Sequence, residues 1–120
     1  MAAAGDDGLE WEDVGDVTVV RVKMAMLWGD PATDTLFTSL HRLIDDPARH
    51  KFALDVGGIQ YFASAALGKL VALHRKAQAA QARLVLVNVT GPVARILQVT
   101  HLDELMLTYA SEREAIRALA

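Results

Sequence analysis

The fold is decided by the stretch from Phe52 to Gly68, which reads Phe-Ala-Leu-Asp-Val-Gly-Gly-Ile-Gln-Tyr-Phe-Ala-Ser-Ala-Ala-Leu-Gly. Its pattern predicts a short buried strand over residues 52–56, a glycine turn, a second short apolar run and then a helix that opens at Ser64. At the start of a helix the backbone N–H groups are unpaired and the helix dipole is positive. This environment suits a regulatory phosphate on Ser64 better than it suits bond-breaking chemistry.

Composition limits the classes of protein to which this chain can belong. Its 120 residues are enough for one domain. The absence of cysteine excludes disulfides, thiolate metal sites and cysteine nucleophiles. A net charge of -3 argues against binding nucleic acid through its phosphates. No apolar run reaches the roughly 18 residues that a membrane span needs. These properties predict a cytoplasmic protein with no membrane span and no nucleic-acid partner.

The N-terminal residues differ in character from the rest of the chain. Residues 1–8 lack the basic and long apolar segments of a signal peptide, and we expect a disordered tail there, followed by one domain over residues 9–120. Several acidic residues near this end resemble a metal-binding group, but we interpret them as a solvated face that discourages edge pairing. They are Asp6, Asp7, Glu10, Glu12, Asp13 and Asp16.

Strands are predicted at regular intervals. The β-branched run over residues 17–22 predicts a strand that forms a hairpin with residues 9–14, the first edge strand. Residues 84–89 are nearly all apolar, as in a strand that is covered on both faces. A last short strand is expected within residues 102–108.

Helices are predicted between these strands. Asp30 followed by Pro31 is typical of an N-cap and a first helical residue, and the apolar pattern continues to about Asp45. Ser111 and Glu114 form a capping box for a final helix. The order β-β-α-β-α-β-α-β-α predicts the α/β class, a single domain with a mixed, mostly parallel sheet and about four helices.

The ordered set of motifs is similar to that of a known family. Residues 54–68 follow the pattern Leu-Asp-Leu-Ser-Gly-Val-x-x-[Ile/Met/Phe]-Asp-Ser-[Ser/Ala]-Gly-Leu-Gly, and residues 100–103 read Thr-His-Leu-Asp where the family usually has Thr-Gly-Leu-Asp. A Pro…Val-x-Arg-x-Leu helix is matched by Pro92, Val93, Arg95 and Leu97. On these residues the chain resembles the STAS domain family, the fold of bacterial anti-sigma factor antagonists, from about Val17 to Leu119.

The resemblance implies a non-enzymatic regulatory switch. In such proteins the unphosphorylated form binds a partner, often a serine kinase that also holds a sigma factor, and phosphorylation of a serine at the helix start breaks the complex. By position Ser64 is that serine. The resemblance therefore implies an anti-sigma factor antagonist in a bacterial partner-switching pathway of transcription control. The anti-sigma factor serine kinase, or a related ATPase, would use ATP and magnesium, and no cofactor is predicted for this chain.

A partner-binding surface is predicted around this serine. It comprises Asp30, Asp55, Ala63, Ser64, Ala65, Leu67 and Lys69. The chain departs from the family pattern beside the serine, where Ala63 replaces an acidic residue and Ala66 replaces a glycine. In the loop before the first helix, Gly29 occupies the position where the family often has an aspartate.

Other functions stay open. The chain could be a STAS subunit that regulates the ATPase of a lipid-transporting ABC system, or a degenerate module that holds its partner permanently because of Ala63. A different class is an enzyme or ligand carrier on a flavodoxin-like scaffold. The sequence has no Gly-x-Ser-x-Gly elbow and no Walker loop to support that class. A homodimer is also left open.

Several residues have simpler structural interpretations. Ser64 as a plain N-cap would stabilise its helix by about 1 kcal/mol. Asp55 is interpreted as a turn-former rather than a contact residue. Trp28 is either a packing residue or an exposed interface anchor. His74 is expected to be a half-buried histidine whose hydrogen bonds are satisfied, and the four histidines lack the spacing of metal ligands.

Overall fold

The strands and helices alternate along the chain. The structure, a computed structural model, describes residues 2–4 and 7–120. The strands are β1 (Ala2–Ala4), β2 (Leu9–Val14), β3 (Val17–Val22), β4 (Met26–Leu27), β5 (Lys51–Asp55), β6 (Tyr61–Phe62), β7 (Arg83–Val87) and β8 (Thr108–Tyr109). The helices are α1 (Pro31–Asp45), α2 (Ser64–Ala79), α3 (Gly91–Val99) and α4 (Glu112–Leu119), with a 3₁₀ turn at Leu102–Glu104.

The described residues form a six-stranded sheet and a separate two-stranded ladder. The sheet has the order β1-β2-β3-β5-β7-β8. The pairs β1/β2 and β2/β3 are antiparallel, and β3, β5, β7 and β8 are parallel to one another. The ladder pairs β4 with β6 in parallel, with Met26 beside Tyr61 and Leu27 beside Phe62. The predicted α/β class with a mixed, mostly parallel sheet is confirmed.

Both faces of the sheet are covered. Helices α1, α2 and α3 pack over the side chains of Val20, Leu54 and Leu86, while α4 packs over Val19 and Ala53 on the opposite face. Because successive side chains of a strand point to opposite faces, a strand between two helix layers must be apolar at every position. This explains why β5 and β7 appear in the sequence as nearly unbroken apolar runs.

The N-terminal edge differs from the prediction. Residues 1–8 were expected to be disordered, but Ala2–Ala4 pairs with β2 and places Ala3 opposite Trp11. As a result β2 is an inner strand of the sheet and not its edge. Alanine has no strand preference of its own, so this pairing follows from the open edge that β2 offers. Met1, Gly5 and Asp6 lie outside the described residues.

The helix starts are set by local signals in two cases. Asp30 caps α1, because its Oδ1 accepts hydrogen bonds from the Thr33 N–H at 3.1 Å and the Thr33 hydroxyl at 2.8 Å. Ser111 caps α4 through the Glu114 N–H at 3.2 Å. These two predicted starts are confirmed. The predicted last strand is instead a 3₁₀ turn followed by the short β8 at Thr108–Tyr109.

Candidate protein-interaction site

Ser64 is the first residue of α2 and its side chain is exposed. Its interpretation as an N-cap is wrong, because the N-cap is Ala63. The chain leaves β6 at Phe62 and is still extended at Ala63, with φ -68° and ψ 156°, so helical dihedrals begin only at Ser64. The Ser64 hydroxyl therefore has no capping role to lose. The first turn of α2 also carries no acidic residue, so a negative charge there would meet only the positive end of the helix dipole.

The loop before α1 is fixed against this helix start. Gly29 has φ +84°, and a Cβ atom at that position would lie 2.7 Å from the Cβ of Ala65. The Ala63 N–H donates to the Leu27 carbonyl oxygen at 2.8 Å. Only glycine combines the left-handed backbone with so close an approach. The starts of α1 and α2 therefore form one rigid corner of the molecule.

An exposed aromatic pair lies on this corner. The ring centroids of Trp28 and Tyr61 are 4.5 Å apart with an interplanar angle of 41°. Met26 is the neighbour of Tyr61 in the β4/β6 ladder. We call Met26, Trp28 and Tyr61 the aromatic patch. Their side chains are 38%, 54% and 40% exposed, whereas the alternate residues Leu27 and Phe62 are buried in the core.

The aromatic patch was only partly foreseen from the sequence. Trp28 was singled out without a decision between packing and exposure, and the structure shows that it is exposed. Met26 and Tyr61 were missed. A signal was present, because both sit at outward positions of strands whose inward residues are apolar, where a polar residue is usual.

The chain segments that carry the patch contain no charge. Residues 24–29 and 56–68 include no Asp, Glu, Lys, Arg or His. The charges that flank these segments on the helices are already engaged: Asp30 caps α1, and the Lys69 Nζ lies 2.5 Å from the Asp34 Oδ1. Hydrogen bonds from the Thr33 hydroxyl and N–H hold the pKa of Asp30 below its ordinary value. The two segments around the exposed Ser64 thus contribute no charged side chain, while the neighbouring Asp30 stays ionised.

Asp55 lies apart from this surface, at the end of β5 on the α4 side. Its Oδ1 accepts from the Gly57 N–H at 2.9 Å and its Oδ2 accepts from the Asn88 side-chain amide at 2.9 Å. Burial, and then the adjacent Glu112 carboxyl, raises the pKa of Asp55. Its interpretation as a turn-former describes these contacts well.

Arg21 and Glu112 complete a charged network beside Asp55. The Arg21 guanidinium binds both Glu112 oxygens, at 2.8 and 2.9 Å, and also reaches Glu10 and Glu12. The hydrogen bonds from Arg21 lower the pKa of Glu112 to about 2. Of these two neighbouring carboxyls, Glu112 is therefore the one that stays ionised as the pH falls.

The remaining residues singled out by the sequence lie in two places, at the start of α2 and on or near β2. Ala63 is the N-cap of α2, Ser64 and Ala65 lie in its first turn, and the half-buried Leu67 and Lys69 follow along the same helix. The acidic residues of β2 and of the turn that follows it are not a free solvated face. Glu10 and Glu12 bind Arg21, Asp13 binds Arg49, and Asp16 binds Lys51.

Neither His74 nor a group of metal-ligating side chains forms a further candidate site among the described residues. His74 is half-buried as predicted, but the prediction that it is satisfied is wrong, because its buried Nδ1 has no hydrogen-bond partner. Within residues 7–120, no three His, Asp or Glu side chains are grouped so that they could hold a metal ion. Across the described part of the chain, none of the helices is both long and apolar enough to cross a membrane.

The fold defines a small α/β domain with a mixed sheet, and comparison with known proteins gives its family. The model of the STAS domain family matches residues 9–115. The chain belongs to the STAS domain family. STAS domains are generally regulatory and not enzymatic.

Solved structures of similar fold are anti-sigma factor antagonists. A STAS domain protein of this class from Planctomyces limnophilus is 24% identical with a TM-score of 0.78, over 93% of this chain and 97% of the other. An antagonist from Mycobacterium paratuberculosis is 23% identical with a TM-score of 0.76, over 98% of both chains. The phosphorylated form of the Bacillus cell fate determinant SpoIIAA is 20% identical with a TM-score of 0.71, over 93% and 99%. At these identities the likeness establishes the shared fold.

Proposed function

We propose that this chain is an anti-sigma factor antagonist, a protein-binding domain in a partner-switching pathway that phosphorylation of Ser64 controls. The observation that carries the proposal is the exposed Ser64 at the first position of α2, free of a capping role, on a STAS fold. The partner is an anti-sigma factor serine kinase in a bacterial cytoplasm. The chain catalyses nothing and needs no cofactor, since the kinase supplies ATP and magnesium.

The physical basis of the switch is a change of surface without a change of fold. A phosphate adds about two negative charges and three acceptor oxygens to Ser64. The unpaired N–H groups and the positive dipole end of α2 favour that charge. Because the hydroxyl holds no structural hydrogen bond as a cap, its modification leaves the helix start intact. Only the surface seen by a partner is altered.

The other predicted partner-binding residues contribute in two ways. Ala63 at the N-cap, together with Ala65, Leu67 and Lys69 on α2, forms the surface itself. Asp30 contributes indirectly. It caps α1 and so fixes the preceding loop, whose Gly29 contacts Ala65. Asp55 likewise holds the turn at Gly57 that leads into β6.

The test uses purified serine-kinase anti-sigma proteins from the source organism, with ATP and magnesium. The kinase is expected to transfer the γ-phosphoryl group of ATP to the Ser64 oxygen, releasing ADP and the hydroxyl proton. Mass spectrometry should find the phosphate on wild type and not on Ser64→Ala. In binding assays Ser64→Ala should hold the kinase and Ser64→Asp should release it.

The matched control is Ser111→Asp. It adds a negative charge at the start of α4, on the opposite face of the sheet, where aspartate can keep the cap. This variant should bind as wild type does. Equal binding by Ser64→Asp and wild type, with no phosphate on Ser64, would contradict the proposed switch.

Ala63 favours a second candidate, a degenerate module that binds its partner permanently. The family's acidic residue is absent at that position, so a kinase that reads it would not modify Ser64. Stable binding of the kinase without phosphate transfer, unaffected by Ser64→Asp, would support this candidate over the switch.

A further inference from the structure

Each tryptophan of this chain is followed two positions later by an aspartate. The first pair is Trp11 and Asp13 on β2, and the second is Trp28 and Asp30 in the loop before α1. The first pair holds an arginine of this chain. The Arg49 guanidinium lies 4.7 Å from the centroid of the Trp11 ring and donates to both Asp13 oxygens, at 3.3 and 2.6 Å. In this pair an aromatic ring and a carboxylate bind one guanidinium together.

The second pair presents the same two groups at the surface. The Trp28 side chain is 54% exposed, and no arginine among the described residues covers its ring. The exposed Asp30 uses Oδ1 for both hydrogen bonds from Thr33, and its Oδ2 accepts none from the part of the chain that the structure describes. The hydrogen bonds from Thr33 also hold the pKa of Asp30 below its ordinary value. An ionised oxygen, oriented by the cap, is therefore available beside the exposed ring.

The ring and the carboxylate are close enough to share one cation. Cα atoms two residues apart are separated by at most about 7 Å, and a cation interacts with a ring within about 6 Å of its centroid. Gly29, with φ +84° and in close approach to Ala65, fixes the loop that carries both groups to the first turn of α2. Because β2 is extended and this loop is not, the two pairs share their chemistry and spacing but not their backbone conformation.

We propose that Trp28 and Asp30 receive an arginine side chain of the partner protein, with its guanidinium stacked on the ring and bonded to the Asp30 Oδ2. This inference rests on the proposed function, and it adds a direct contact to the capping role of Asp30. Arginine fits better than lysine, because its flat guanidinium stacks on a ring while its N–H groups donate to a carboxylate. The exposed Met26 and Tyr61 beside Trp28 would cover the alkyl part of the arginine.

This contact holds the unmodified protein and is separate from the release step. In the proposed function the kinase holds ATP at Ser64. After transfer, the phosphate on Ser64 faces the phosphates of the ADP that remains, and like charges repel. Asp30 should therefore set the affinity before phosphorylation, whereas Ser64 decides release.

The experiment measures the affinity of the purified serine-kinase anti-sigma protein for wild type, Asp30→Asn and Trp28→Leu. Asparagine removes the charge and keeps the cap, and it should weaken binding at least about tenfold at roughly 0.05 M salt. Leucine keeps an apolar side chain without a ring face, and it should weaken binding about fivefold.

The matched control is Asp103→Asn, which changes the net charge of the chain equally. Asp103 is exposed in the 3₁₀ turn before β8, at the opposite edge of the sheet from the starts of α1 and α2. This variant should bind within about twofold of wild type, because a distant surface charge is screened.

Two further measurements identify the charge pair and its occupant. The tenfold difference between wild type and Asp30→Asn should shrink to about threefold at roughly 0.5 M salt, while their melting temperatures stay alike. Phenylglyoxal modifies arginine side chains. In a saturated complex with wild type, one arginine of the kinase should be protected from it, and in a saturated complex with Asp30→Asn the same arginine should react.

The outcomes separate the inference from the proposed function. Equal affinity of wild type and Asp30→Asn, with phosphate transfer to Ser64 intact, overturns the inference and leaves the proposed function standing. A tenfold loss without a protected arginine overturns it as well, because Asp30 then meets a different group. If wild type neither binds the kinase nor receives phosphate on Ser64, the proposed function fails and the inference fails with it.

Discussion

The starts of α2 and α4 use charge in opposite ways. Helix α4 begins with a serine cap and with Glu112, which is bound by Arg21 and lies beside Asp55. Helix α2 is preceded by an alanine at the N-cap, which provides no side-chain cap, and its first turn has no acidic residue. At α4, charged groups satisfy one another and join β3 to the helix. At α2, close backbone packing takes the place of these charged contacts, as in the approach of Gly29 to Ala65.

The largest loss of stability is expected from Gly29→Ala, because this substitution disrupts the packing at the start of α2. The added Cβ would lie 2.7 Å from the Ala65 Cβ at a φ of +84°, so steric overlap adds to backbone strain. We expect a loss of about 3 kcal/mol in the free energy of unfolding, measured by urea denaturation.

Gly15→Ala is the control for that variant. Gly15 has φ +62° in the β2/β3 turn, and no atom lies within 4 Å of its added Cβ. Only the backbone strain remains, so the loss should be about 1 kcal/mol. Equal losses at the two glycines would show that the contact with Ala65 does not hold the corner together.

A smaller effect is expected from Arg21→Met, which removes the cation of the α4 network. Three carboxylates would lose their partner, and the Arg21 side chain is only 27% exposed. The free energy of unfolding should fall by about 2 kcal/mol. Binding of the partner at α2 should be unchanged, because the network lies on the α4 side.

Lys51→Met serves as the matched variant. It removes the pair between Lys51 and Asp16, whose side chain is 66% exposed, and should leave stability nearly unchanged. A loss as large as that of Arg21→Met would mean that the network has no special role.

The smallest expected effect is on the pH dependence of the free energy of unfolding. The pKa of Glu112 is lowered from 4.5 to about 2 in the folded protein, so its contribution to stability is present above pH 4.5 and is lost as the pH falls toward 2. The pKa of Asp55 is raised in the folded protein. Asp55 therefore contributes to stability at low pH, and this contribution is lost as the pH rises through the raised pKa.

Glu112→Gln removes the ionisable carboxyl and so isolates the contribution of Glu112 to the pH dependence of stability. The decline in unfolding free energy between about pH 5 and pH 2 should be smaller in this variant by about 1 kcal/mol, allowing for solvent screening. Urea denaturation at several pH values measures it. An unchanged decline would assign the acid sensitivity to other carboxyls.

Features that depend on neighbouring residues in the sequence were predictable. Asp30 with Pro31, and Ser111 with Glu114, determined two helix starts, because a cap acts within three residues. The alternation of apolar runs with amphipathic segments likewise determined the α/β class and the position of Ser64 at the start of a helix. The STAS resemblance rested on the same local motifs, and the family match over residues 9–115 agrees with it.

Features that depend on distant residues were decided by the tertiary structure. Whether Ser64 or Ala63 caps α2 follows from where β6 pairs with β4 and so ends. The contact between Trp28 and Tyr61 depends on that same ladder, and the bond between Arg21 and Glu112 joins residues 91 positions apart. The sequence by itself determined the main strands and helices, their order and the position of Ser64 at a helix start. The corner around that serine exists only because long-range packing brings two uncharged segments together.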